Sequence, residues 1–143
     1  MKNKFILYSF LLVFLFIGCK KPSPTPDLLQ IQLENLKNKN MSWGLVGGSV
    51  IKDNYDVTSQ FSGFTLTIGE YTYITQNSIA SAWPTSGTWQ FVNDNPNLVV
   101  REDGVEIDVA IANNQLTLSF TVSGIGGRVS GIDGNYVFTL TSN

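Results

Sequence analysis

The chain has no histidine, one cysteine and few charges, with nine lysines and arginines against eleven carboxylates in 143 residues. Each shortage excludes something. Without histidine the commonest general base and metal ligand is missing. A single thiol cannot form an intramolecular disulfide. Beyond residue 40 the only cations are Lys52, Arg101 and Arg128, too few to hold a phosphate backbone, so nucleic acid is excluded as a partner. No helical pattern is long enough to supply crossovers between parallel strands, which removes the α/β classes.

What is present begins with the leader. Lys2 and Lys4 precede an apolar run from Phe5 to Ile17, which is followed by Gly18 and Cys19. A positive end, an apolar centre and a small residue before a cut make an export signal. The run stops short of the about 20 apolar residues that a membrane-spanning helix needs. Phe16-Ile17-Gly18-Cys19 resembles the lipobox of bacterial lipoproteins. That resemblance implies cleavage before Cys19, a thioether-linked diacylglycerol on its sulfur and a further acyl chain, such as palmitate, on its amine. Two or three chains hold a protein stably at a bilayer. Residues 1–18 are therefore expected to be a signal peptide, and residues 19–26 a lipidated cysteine with a proline-rich tether that lifts the domain off the headgroups.

Residues 27–40 predict a short helix capped by Asp27, with Leu29, Leu33 and Leu36 on one stripe closing an end of the domain that follows. Residues 41–143 change to strand chemistry, rich in Thr, Val and aromatics and punctuated by Gly, Asn and Asp. Eight strands are predicted: Trp43–Lys52, Gly63–Ile68, Tyr71–Thr75, Gly87–Val92, Leu98–Arg101, Val105–Ala112, Gln115–Val122 and Tyr136–Thr141. Gly69-Glu70, Glu102-Asp103-Gly104 and Asn113-Asn114 suit tight hairpins, and Asn93 to Asn97 a longer connection. Alternation is clean: Leu116, Leu118, Phe120 and Val122 oppose Thr117, Ser119 and Thr121. Short antiparallel strands with one apolar face bury themselves most simply as an all-β, eight-stranded up-and-down barrel, with a two-sheet sandwich as the alternative.

Trp43 after the leucine-rich segment, Asp56-Val57-Thr58 leading to Phe61–Ile68, Ser86–Phe91, Asn114–Phe120 and Gly134–Leu140 together resemble the lipocalin-like lipoproteins of Bacteroidota-type Gram-negative bacteria. The resemblance implies a lipocalin-like barrel and a lipid anchor in the outer membrane, without an activity. Lys20-Lys21 stand where surface-exported members carry acidic residues, which implies the periplasmic face.

An eight-stranded barrel is either filled by its own side chains or holds one small ligand. The expected inward set, which includes Trp43, Leu66, Tyr71, Tyr73, Trp89, Phe120 and Phe138, is bulky enough to fill it. The other reading keeps a cavity at one mouth, where Tyr71, Tyr73 and an exposed Trp83 in the Gln76–Ser86 loop meet an amphiphile or a glycan. Arg128, in a glycine-rich loop, is then free to approach an anionic group. No catalytic residue, metal ligand or cofactor is identified: Glu106 and Asp108, or Glu102 and Asp103, read as solvated charge, and turn chemistry accounts for Asp94 and Asn95. The expectation is a monomeric, non-enzymatic envelope protein binding a small ligand, or a filled barrel that engages or inhibits another protein.

Overall fold

The computed structural model describes residues 27–124 and 131–143. The leader, Cys19, the tether and Arg128 lie outside the described residues.

Helix α1 (Leu28–Lys37) starts where the Asp27 carboxylate accepts the Leu29 N–H at 3.0 Å, and ends at Asn38 in the left-handed conformation. After a 3₁₀ turn (Asn38–Asn40) the chain enters β1 (Trp43–Lys52). There follow β2 (Tyr55–Asp56), a second 3₁₀ turn (Thr58–Phe61), β3 (Thr65–Ile68), β4 (Thr72–Gln76), β5 (Ser86–Val92), β6 (Asn95–Arg101), β7 (Glu106–Ala112), β8 (Gln115–Val122) and β9 (Gly134–Ser142).

Neighbouring strands are antiparallel from β3 through to β9, and β1 pairs with both β3 and β9. The sheet therefore closes into an eight-stranded up-and-down barrel of lipocalin-like architecture, with β2 as an extra strand folded back on β1, and the sandwich is not formed. Closure leaves no long edge exposed.

The turns explain much of the register. Asp53-Asn54, Asn93-Asp94 and Asn113-Asn114 all have positive φ at both positions, joining Lys52 to Tyr55, Val92 to Asn95 and Ala112 to Gln115. Asn and Asp tolerate that conformation, which matches the twist of a two-residue hairpin. Two expectations are corrected here. The connection after β5 is a tight turn rather than a long one, because Asn93 and Asp94 suffice and β6 begins at Asn95. Asp53-Asn54 also makes a hairpin, which adds β2.

Within the β1–β9 seam, β1 bulges between Gly44 and Ser49. Gly48 packs so closely on the Thr139 carbonyl that no Cβ fits. Where β1 leaves β3, the Thr58–Phe61 turn fills the gap and buries Phe61.

The barrel has two ends. At the lower one lie α1, the turns at residues 69–71, 93–94 and 113–114, and the C-terminus. The upper end carries the Asp53-Asn54 turn, the 77–85 connection, the 102–105 turn, the end of β8 and the start of β9. Leu33 and Leu36 of α1 are buried, and the Trp43 indole donates to the Leu36 carbonyl at 2.8 Å, so the helix stoppers the lower end.

Candidate functional site

The interior is the first place to look for a binding site, and it is occupied by the chain itself. The segment between β4 and β5 makes one turn, with the Ala82 and Trp83 amides both donating to the Ile79 carbonyl at 2.8 Å. That turn carries Trp83 into the barrel, where 3% of it is exposed. Its ring lies 5.1 Å from Phe120 and 5.8 Å from Phe138. Phe61 and Phe64 meet Phe138 at 5.0 and 5.2 Å from further round the wall. The Trp83–Phe138 contact is tilted and the other three are edge-to-face, a geometry favourable beyond the area it buries.

Trp83 is also held from above. Arg101, 3% exposed at the end of β6, sets its guanidinium carbon 4.8 Å from the Trp83 ring and 5.6 Å from Phe120. The same guanidinium donates to both carboxylate oxygens of Asp103, at 3.2 and 2.7 Å, and to the Ala82 carbonyl at 3.3 Å. A buried cation needs this compensation. For Asp103, burial works to raise the carboxyl pKa, but the hydrogen bonds from Arg101 and the Val105 amide outweigh it and hold the value below 3.8.

Beneath this lid is a cavity of about 30 Å³, lined by apolar side chains that include Leu36, Leu66, Val99, Val109 and Leu118. A single water needs on the order of 10–15 Å³ by this kind of measure, and a dry cavity that admits benzene is on the order of 150 Å³. The space is thus of water size.

Two residues that line it carry a buried polar atom without a partner among the described residues, the Tyr73 hydroxyl and the Trp83 indole N–H, although the surface facing the cavity is apolar. Burial pushes the Tyr73 phenol above its ordinary value, Arg101 opposes the shift, and Asp103 and Glu102 add to it. Gly87 leaves room for Tyr73, since a Cβ there would lie 2.7 Å from the hydroxyl.

The expected mouth site is therefore corrected. Trp83 is not exposed: its apolar neighbours and Arg101 hold it inside. Tyr73 is buried beside it, with rings 6.0 Å apart, but Tyr71 is at the lower end, partly exposed and tilted against Trp89 at 5.5 Å. Tyr71 sits in the left-handed region, φ 57°, in the turn before β4. The three do not form one site.

Outside the barrel, an open groove of about 610 Å³ lies at the upper end, where β8 and β9 run on past the start of β7. Asp103, Glu106 and Asp108 line one side, and Ser119, Thr121 and Asn135 the other. In the sequence Glu106 and Asp108 read only as solvated surface charge. Their alternation on β7 beside the outward serine and threonine of β8 is the signal that marks the groove.

Comparison with protein-family models, with curated proteins and with solved structures finds no match for this chain. The fold defines the class: a small, closed, lipocalin-like up-and-down barrel.

Proposed function

We propose that this chain is a non-enzymatic lipoprotein of the lipocalin-like lipoprotein type, anchored through Cys19 to the periplasmic face of the outer membrane, that acts as a monomer through its outer surface. The observation that carries the reading is the position of Trp83. An indole packed among Phe120, Phe138 and the Arg101 guanidinium occupies the space a carried ligand would need. The remaining cavity of about 30 Å³ has no room for an amphiphile or a sugar ring.

A filled barrel serves as a rigid platform, and its loops and grooves are then the working parts. The upper groove presents three carboxylates and a wall of hydroxyl and amide groups. That chemistry suits a basic or hydrogen-bonding segment of an envelope protein, to be engaged or inhibited. The alternative, capture of a small amphiphile or glycan, keeps one supporting observation in the unpartnered Tyr73 and Trp83 donors.

Photo-crosslinking in intact cells tests the reading. A photoreactive phenylalanine at Ser119 should give a discrete protein adduct, whereas one at Ile74, exposed on β4, should not. Adducts from neither position, together with a small molecule that co-purifies at one per chain, would overturn it.

A further inference from the structure

Several of the large apolar side chains left exposed gather at one end of the barrel. Leu28 and Ile31 of α1 are 68% and 43% exposed, Ile31 on the face opposite the buried Leu33 and Leu36 and Leu28 on the flank in the first turn. Met41, between the 3₁₀ turn and β1, is 43% exposed, and Tyr71, in the β3–β4 turn, is 44% exposed. All four belong to the lower end. A short helix that buries one apolar stripe has no structural need of a second on its opposite face.

Charge is divided along the same axis. The upper end carries Asp53, Asp56, Glu102, Asp103, Glu106 and Asp133 against Lys52 and Arg101 as the described cations. At the lower end Lys37 and Lys39 stand with Asp27, Glu34, Glu70 and Asp94, and in the sequence Lys20 and Lys21 precede Asp27 by a few residues. Among the described residues the upper end is the more acidic, by a net four negative charges against two, and is the more strongly repelled by anionic lipid.

The chain outside the described residues says what meets this face. Seven residues, Lys20 to Pro26, join Cys19 to Asp27 at the start of α1. Fully extended at about 3.5 Å each, they span about 25 Å, so an acylated Cys19 keeps α1 within that distance of the bilayer. We propose that the lower end, through Leu28, Ile31, Met41 and Tyr71, seats on the lipid surface that holds the anchor, instead of standing off on its tether. This inference rests on acylation of Cys19. An amphipathic face adds area to an acyl anchor, and aromatic and aliphatic side chains favour the headgroup boundary. Seating would point the acidic upper groove away from the membrane.

The test uses the full chain, made with its leader in a Gram-negative host and reconstituted into phosphatidylethanolamine and phosphatidylglycerol vesicles whose acyl chains are brominated near the headgroup. Its three tryptophans are all buried, so Ile31→Trp or Tyr55→Trp adds one surface reporter, at the lower or the upper end. The Ile31→Trp chain should lose at least twice the fraction of fluorescence that the parent loses, and Leu28→Glu in the same chain should reduce that loss. Tyr55→Trp should be quenched no more than the parent. An acylated chain in which both reporters escape bromine overturns the seat and leaves the anchor standing. If the indole added by Ile31→Trp is shielded from bromine and also from aqueous iodide, a protein or a second copy covers the face, and the lipid contact is wrong. The intact mass of the same sample reports separately on Cys19, and an unacylated chain overturns both anchor and seat.

Discussion

The Arg101 guanidinium lies 4.8 Å from the centre of the Trp83 ring, with both groups almost wholly buried. Arg101 belongs to β6 and Trp83 to the segment between β4 and β5, so the contact fastens that segment across the inside of the barrel. The hydrogen bond from Arg101 to the Ala82 carbonyl fastens the same segment by its backbone. These contacts make the Trp83 side chain a structural stopper.

Trp83→Ala removes the largest part of that stopper. The loss is expected to be about 3–5 kcal/mol, the range for emptying a large aromatic site in a core. Chemical denaturation followed by far-ultraviolet dichroism measures it. A loss under about 1 kcal/mol would mean that the ring is not packed as described.

Tyr73→Phe tests the unpartnered hydroxyl. Removing a buried polar atom that makes no hydrogen bond is expected to leave stability unchanged or to raise it by about 1 kcal/mol. If the variant is less stable by that amount, the hydroxyl makes a hydrogen bond and is not unpartnered.

Asp103 gives a pH dependence of known sign. Its folded-state pKa lies below its ordinary 3.8, so its contribution to stability is full above that value and is lost as the pH falls through the folded value. Asp103→Asn should cost about 1–3 kcal/mol at neutral pH, less than for a fully enclosed pair because solvent reaches the carboxylate. It should also flatten the acid limb of the stability curve between about pH 5 and 2, measured by denaturation at each pH. An unchanged acid limb would remove Asp103 from the account, although Asp53 and Asp56 add shifts of the same direction.

The alternation of Leu116, Leu118 and Phe120 with Thr117 and Ser119 is enough to fix β8, and the same rule places the other long strands within a few residues, because each strand has one buried face. Closure also follows, since successive short hairpins leave edges that only a barrel removes. Trp83 is misplaced by sequence reasoning because burial of a connection is a tertiary event that strand periodicity does not report. A local signal is present: Ile79, Ala82 and Trp83 have the spacing of one helical turn with an apolar face. Phe61 escapes in the same way, inside a 3₁₀ turn preceded by Asp56, whose carboxylate accepts the Thr58 amide at 2.8 Å. The polar lining of the upper groove is legible in the alternation of β7 and β8, but its shape is not, because that depends on β8 and β9 outrunning β7.

Gly48 tests the seam that closes the barrel. A methyl group there would collide with the Thr139 carbonyl, so Gly48→Ala should separate β1 from β9 and destabilise by more than Gly47→Ala. Gly47 has φ 74° and open space around it, and alanine there meets only backbone strain of about 1 kcal/mol. Hydrogen exchange at the β1–β9 amides reads the difference: faster exchange in the Gly48 variant alone is the expected result.

The most direct test of the filled barrel is the native mass of the protein extracted gently from its own envelope, compared with that of the leaderless domain refolded from denaturant. The account predicts that, apart from the acyl modification, the two differ by no small molecule and that neither takes up fatty acids or glycans added in excess. An added mass at one per chain on the extracted protein, retained through buffer exchange and lost in Trp83→Ala, would contradict it.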